Sequence, residues 1–213
     1  MDYSKLQDRI YKGLGTTARQ IGIWADAFRP LPGKIPLDPE GRFLKLPVVF
    51  EPLVGWNILE TADQVMWQGL FDGAYTRVGD HIVFGTSAYF IVAQEPLQPI
   101  VCIRSNQIIS VSRPTPPPLS STNAYGGYSQ SLPNTLLEQY PAAVLIENKT
   151  GPSKAGLPTD LITPYWTVLL SKTFDIALSA GDVIKDDLGR SAIVTYAQPI
   201  AFGWRLIAKV STT

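Results

Sequence analysis

The chain has 213 residues, with 18 Lys and Arg against 18 Asp and Glu, and a formal net charge of zero. That balance excludes a polybasic nucleic-acid binder and a polyacidic mimic as descriptions of the whole chain. Apolar residues make up 45% and charged residues only 17%, so a core is attainable and the surface is lightly charged, as in a protein that contacts other proteins or in a plain β-rich domain.

The single cysteine, Cys102, rules out an intrachain disulfide. The first residues, MDYSKLQDRIYKGLG, lack the apolar centre of a signal peptide. No apolar run approaches the roughly 20 residues of a membrane-spanning helix. The expectation is a protein made in a cytoplasm, without membrane contact.

Tyr3, Leu6, Ile10 and Leu14 recur at helical spacing, which predicts a short helix within residues 1–21 whose end is weakened by Gly13 and Gly15. Phe28 to Gly41 carries four prolines and two glycines. Proline lacks the N–H that a central strand or a regular helix needs, so this stretch reads as an extended arm or long loop, residues 28–41. Short β-type runs follow, FLKLPVVF, WQGLFDGAYTRV, HIVF, AYFIVA and IVCIRSNQIISVS, and close a first β module spanning 22–113. Arg113 to Asn134 holds five prolines and a Gly pair, and reads as a linker or arm at 114–133. The β pattern resumes in a second module at 134–213 and ends in GWRLIAKVS, whose Trp204, Leu206, Ala208 and Val210 alternate with Arg205 and Lys209 as on a strand with one buried face.

Two stretches repeat. GDHIVFGTSAYFIVAQEP, from Gly79, lies over GDVIKDDLGRSAIVTYAQP, from Gly181. Gly79-Asp80 meets Gly181-Asp182, Ile82 meets Ile184, and Gly85 meets Gly189. Ser87-Ala88 meets Ser191-Ala192, Ala93-Gln94 meets Ala197-Gln198, and Pro96 meets Pro199. Upstream, PVVFE faces PAAVLIE, and Trp67 stands where Trp166 does. Each Gly-Asp pair suits a tight turn, one residue tolerating positive φ and the other bonding locally. Gly85 and the DDLGR segment suit hairpin turns. AYFIVA and AIVTYA are unbroken apolar runs, expected in strands covered on both faces. The fold expected is mainly β: two tandem small antiparallel barrel or sandwich modules, with an N-terminal helix and proline-rich extended arms.

Candidate chemistry is sparse. His81 has Val183 as its counterpart, which points to a strand position. One His and one Cys exclude the usual zinc sets. Asp186-Asp187 is the best carboxylate pair, yet it falls where a hairpin turn is expected. No phosphate-binding GxxxxGK[ST] loop is present. The residues therefore predict no catalytic group, no cofactor and no metal. Tyr125 and Tyr128 lie in the second arm without apolar periodicity, and are candidate interface anchors, since Tyr is enriched at binding hot spots.

The GD-x-I turn, a gap, a glycine, an apolar strand and a closing strand, over Gly79 to Ser112 and Gly181 to Ser211, resembles the head–tail joining proteins of tailed bacteriophages: connectors, stoppers and collar proteins of the virion neck. The resemblance implies a non-enzymatic virion protein that forms a homo-oligomeric ring around the DNA channel. It also implies partners: portal or adaptor proteins on one side, tail-tube or tail-terminator proteins on the other, and non-specific contact with DNA in the channel. Two alternatives from other classes stand beside it, a tandem-barrel oligonucleotide-binding protein and a carbohydrate-binding or hydrolytic β protein.

Overall fold

The computed structural model describes residues 3–53, 65–115, 133–147, 164–172 and 176–211. They form helix α1 (Tyr3–Ile21) and twelve strands. The first six are β1 (Ile23–Phe28), β2 (Arg42–Pro52), β3 (Met66–Leu70), β4 (His81–Phe84), β5 (Ser87–Ala93) and β6 (Ile100–Ser105). The second six are β7 (Gln107–Arg113), β8 (Asn134–Glu147), β9 (Tyr165–Ser171), β10 (Val183–Asp186), β11 (Ser191–Ile200) and β12 (Gly203–Val210).

Each set of six closes into an antiparallel barrel, and the two barrels share one topology. The first runs β1-β2-β3-β6-β5-β4 and closes from β4 to β1. The second runs β7-β8-β9-β12-β11-β10 and closes from β10 to β7. Closure leaves no unpaired sheet edge in either barrel. The core of the first is Ala25, Ala27, Leu46, Val48, Phe71, Ile82, Tyr89, Ile91, Ile100 and Cys102. In the second, Ile109, Val111, Tyr140, Val144, Trp166, Val168, Leu170, Ile184, Val194 and Leu206 fill the equivalent space.

The expected tandem barrels are therefore present, but the division between them moves. The run IVCIRSNQIISVS is two strands, not one closing strand. β6 completes the first barrel, and β7 pairs with β8 and β10 and so opens the second. The first barrel takes its opening strand from Ile23–Phe28, next to the helix, where no strand was expected. The boundary lies at Asn106 rather than at residue 113. Residues 114–133 are then not a linker between modules. They connect β7 to β8, as residues 29–41 connect β1 to β2.

Pairing also corrects the repeat by one residue in its middle. Ile82 faces Tyr89 and Ile184 faces Ala192, so Tyr89 corresponds to Ala192, and Ala88 to Ser191. Both Tyr89 and Ala192 point into their barrels. A one-residue slip would have sent them to opposite faces, because side chains alternate along a strand. The turn glycines, Ile82 with Ile184, and Pro96 with Pro199 keep their correspondence. Trp67 opposite Cys102 matches Trp166 opposite Ala208. Each barrel has a register shift at the same place, between Ile91 and Ala93 and between Val194 and Tyr196.

Two local expectations change. The first arm is not extended: the Arg29 N–H bonds the Gly41 carbonyl at 2.8 Å, Lys34 pairs with Glu40, and Asp38 caps a short turn at Pro39–Gly41. It folds back as a closed loop. The helix runs through Gly13 and Gly15 to Ile21, because docking outweighs the propensity lost at two glycines. A Cβ on Gly15 would stand 3.0 Å from the Asp72 Cβ, so the glycine permits close approach to the barrel. Tyr11 lies over Gly73 and Ala18 is buried. Gln94 donates to the Tyr11 hydroxyl at 3.2 Å, and the Leu97 N–H donates to the Gln7 side-chain oxygen Oε1 at 2.6 Å. No helix among the described residues is long and apolar enough to cross a membrane.

Candidate functional site: a repeated arginine clamp and the barrel junction

The Gly-Asp turns are at the same place in both barrels. Gly79 and Gly181 have φ of 93° and 94°, in the left-handed region that a side chain resists. The Gly79 and Gly181 N–H groups bond the Ile91 and Val194 carbonyls, each at 2.8 Å. This presents Asp80 and Asp182 to an arginine at the end of the barrel's first strand, Arg29 just after β1 and Arg113 as the last residue of β7. Arg29 Nε and Nη2 donate to the Asp80 carboxylate at 2.9 and 2.8 Å. Arg113 Nε and Nη2 donate to Asp182 at 2.7 and 3.0 Å. The same guanidinium groups reach the carbonyls of Tyr75 and Ala177. The backbone N–H groups of Arg77 and Ser179 complete the carboxylates at 3.0 and 2.8 Å. Both carboxylates are 1% exposed. The hydrogen bond to its aspartate raises each guanidinium further above its ordinary value. A bidentate fork of this kind fixes orientation as well as charge.

These arginines were missed in the sequence. The signal was an Arg-Pro dipeptide, Arg29-Pro30 and Arg113-Pro114, at the start of both proline-rich loops. The clamp therefore holds the roots of the loops to the barrels. Tyr125 and Tyr128, the candidate anchors in the second loop, lie outside the described residues. Gly85 and Gly189 sit in the β4–β5 and β10–β11 hairpin turns with φ of 56° and 79°. Asp186 is a turn former: it accepts the backbone N–H groups of Leu188 and Arg190 and pairs with the Arg190 guanidinium at 2.6 Å. Asp187 is exposed in the turn.

His81 is a strand residue on the outside of the first barrel, yet it is completely buried, because the second barrel covers it. Its Nε2 lies 2.8 Å from Ser171 Oγ, and the Tyr140 hydroxyl lies 2.9 Å from the same oxygen. Desolvation lowers the His81 pKa to about 3, which keeps it neutral. Burial pushes Tyr140 up to about 12, against the opposing effect of its bond to Ser171. The His–Ser distance would suit a base and a nucleophile. Ser171 is as buried as His81, however, and His81 Nδ1 has no partner among the described residues. The arrangement ties two barrels together.

Around this tie, Phe90, Val92 and Ile103 of the first barrel pack on Ala143 of the second, with Leu169 and Phe202 at the margin. Asn106, between the barrels, extends the ladder: its N–H bonds the Ala142 carbonyl, and its side-chain amide exchanges two 2.8 Å bonds with the Val144 backbone. The closed loop at 29–41 and strand β8 flank a cleft of about 300 Å³, lined by Lys34, Ile35, Leu136, Tyr140 and Lys172 among others. A second hollow of about 480 Å³, at one end of the first barrel, is lined by Trp67, Thr86, Ser87, Arg104 and Ser105. Among the described residues no three His, Cys, Asp or Glu side chains are grouped to hold a metal. No family model, curated protein or solved structure matches the chain.

Proposed function

We propose that this chain is a structural virion protein of a tailed phage, assembling as a homo-oligomeric ring in the head–tail neck around the DNA channel. The observation that carries the reading is the duplicated closed barrel, with the Gly-Asp hairpin at one place in both copies. Its buried polar groups support the same reading: the Arg–Asp clamps brace loops, and the His81–Ser171–Tyr140 cluster braces a junction. Closed barrels offer no strand edge, so subunits meet through faces and loops. Tyr125 and Tyr128 are the anchors proposed in the β7–β8 loop, with portal or adaptor and tail-tube or tail-terminator proteins as neighbours.

The test is native mass spectrometry with electron microscopy across a concentration series, beside a salt series of nucleic-acid binding. Closed rings at high concentration, with weak binding to DNA, are expected. A protein that stays monomeric at every concentration and binds oligonucleotides with a steep salt dependence belongs to the oligonucleotide-binding class instead, because phosphate contacts release counterions.

A further inference from the structure

The internal repeat allows one surface to be compared with its own copy. Barrel one meets barrel two through the outward residues of β4, β5 and β6, namely His81, Phe90, Val92 and Ile103. Barrel two receives them on the outward residues of β8 and β9, including Ala143, Leu169 and Ser171. The strand pairings assign each of these a counterpart. The receiving face of barrel one is Val49 and Glu51 on β2, with Gln68 and Leu70 on β3 and Asp72 just beyond. The inserting face of barrel two is Val183, Lys185, Ile193, Thr195, Ile207 and Lys209 on β10 to β12.

These two counterpart faces differ in what covers them. Helix α1 lies along β2 and β3, with Gly15 against Asp72 and Gly22 against the Val48 carbonyl. At Asp72 it occupies on barrel one the place that barrel one occupies at Ser171 on barrel two, while Glu51, farther along the same face, is exposed. The inserting face of barrel two has no cover among the described residues: Ile193 is 46% exposed, where its counterpart Phe90 is 0% exposed. Among the described residues, β11 is thus open on the side where β5 is sealed.

Charge says what fits there. The outward residues of β10 to β12 include Lys185, Arg205 and Lys209 and no carboxylate. The receiving face of barrel one carries Glu51 and Asp72; the cations of β2, Arg42 and Lys45, lie toward its other end, where Arg42 pairs with Asp26 of β1 at 2.7 Å. Helix α1 carries Lys5, Arg9, Lys12 and Arg19 against Asp8, so it has the same sign as the open face. Ile103 packs beside Ala143 within the chain. The same docking between copies brings its counterpart Lys209 to Val49 and Glu51.

We propose that the β10–β12 face of one copy docks on the β2–β3 face of the next, and that α1 is a removable cap competing for that second face. This rests on the ring reading above and specifies how such a ring is built. The contact is head-to-tail, joining two different surfaces, so it propagates from copy to copy and closes into a ring where the rotation permits. On this proposal the capped face keeps the free protein monomeric at low concentration.

The test uses the full chain. Tyr11→Ala removes the helix's ring from Gly73, and Gly15→Leu forces a side chain into Asp72. Near-ultraviolet circular dichroism shows whether the barrels remain packed, and whichever variant keeps them is used. Analytical ultracentrifugation is expected to show assembly at concentrations at least tenfold lower than for the parent. Adding Ile193→Glu or Lys209→Glu should abolish it, and Glu51→Lys should restore it in the Lys209→Glu background. A folded, helix-loosened protein that assembles no more readily than the parent overturns the proposal, as does assembly indifferent to Ile193→Glu and Lys209→Glu. Rings that form in the parent yet ignore all these changes retain the ring reading and reject this interface. Absence of closed oligomers in every variant rejects the ring reading itself.

Discussion

The two barrels share a strand order, a pair of turn glycines and an arginine clamp, but they fill one end differently. In the first, Phe50 stacks on Tyr89 with ring centroids 3.9 Å apart, and Phe84 stacks alongside. In the second, the position of Phe84 is held by Asp186 and that of Tyr89 by Ala192. The Arg190 guanidinium reaches back to Asp186 and lies 5.3 Å from the Trp166 ring centre. One barrel end is packed with aromatic rings, the other with an ion pair over one tryptophan. The frame that survives this exchange is the backbone ladder, the glycine turns and the Arg–Asp clamp. Interior volume can be redistributed among positions provided the total is kept.

The comparison breaks most visibly at the tryptophans. Trp166 is 1% exposed, whereas its counterpart Trp67 is only partly buried. Trp166→Ala is expected to cost about 3–5 kcal/mol, the usual range for a buried aromatic. Trp67→Ala should cost roughly half that or less, because less surface leaves water. Paired denaturant titrations check this, and equal losses would show that the two ends are equivalent after all.

The clamps should instead be interchangeable. Asp80→Ala and Asp182→Ala each remove a buried carboxylate that satisfies a backbone N–H and a guanidinium, for about 2–3 kcal/mol apiece. Thermal midpoints should fall by similar amounts in both. A loss confined to one barrel would mean that only one loop root depends on its clamp.

His81 marks the place where the copies diverge by function within the fold. Its folded pKa of about 3 lies below the ordinary value of 6.5. The unfolded chain therefore takes up the proton first. Stability is full above about pH 6.5 and declines as the pH falls toward 3, by about 2 kcal/mol at pH 5. His81→Val, which copies Val183, should remove this acid dependence while Ser171 keeps its bond to Tyr140. Unfolding measured from pH 8 to pH 4 in both proteins decides it; an unchanged slope in the variant would place the titrating group elsewhere.

The smallest effect concerns the turn glycines. A Cβ at Gly79 or Gly181 meets nothing within 4 Å, so the penalty for alanine is conformational alone. About 1 kcal/mol is expected at each, equal within error by chemical denaturation. Unequal losses would show that one turn carries strain the other lacks.

What the sequence determined was local. Gly79, Gly85, Gly181 and Gly189 announced turns because a left-handed backbone favours glycine whatever surrounds it. The short apolar runs between them announced strands, and their repetition announced two similar modules. Arg29 and Arg113 were legible only in hindsight, since an Arg-Pro dipeptide says nothing of a carboxylate that arrives 51 or 69 residues later. Tertiary structure decided the rest. β7 reads as a continuation of β6, and only pairing with β10 assigns it to the second barrel, because closure is a non-local choice. His81 and Val183 occupy one position in two copies, and neither side chain reveals that a neighbouring barrel buries the first. AYFIVA and AIVTYA are both largely apolar, with Thr195 standing where Val92 does, yet among the described residues only the first is sealed on both faces. Burial depends on what docks against a strand, and a strand's own sequence does not contain its neighbour.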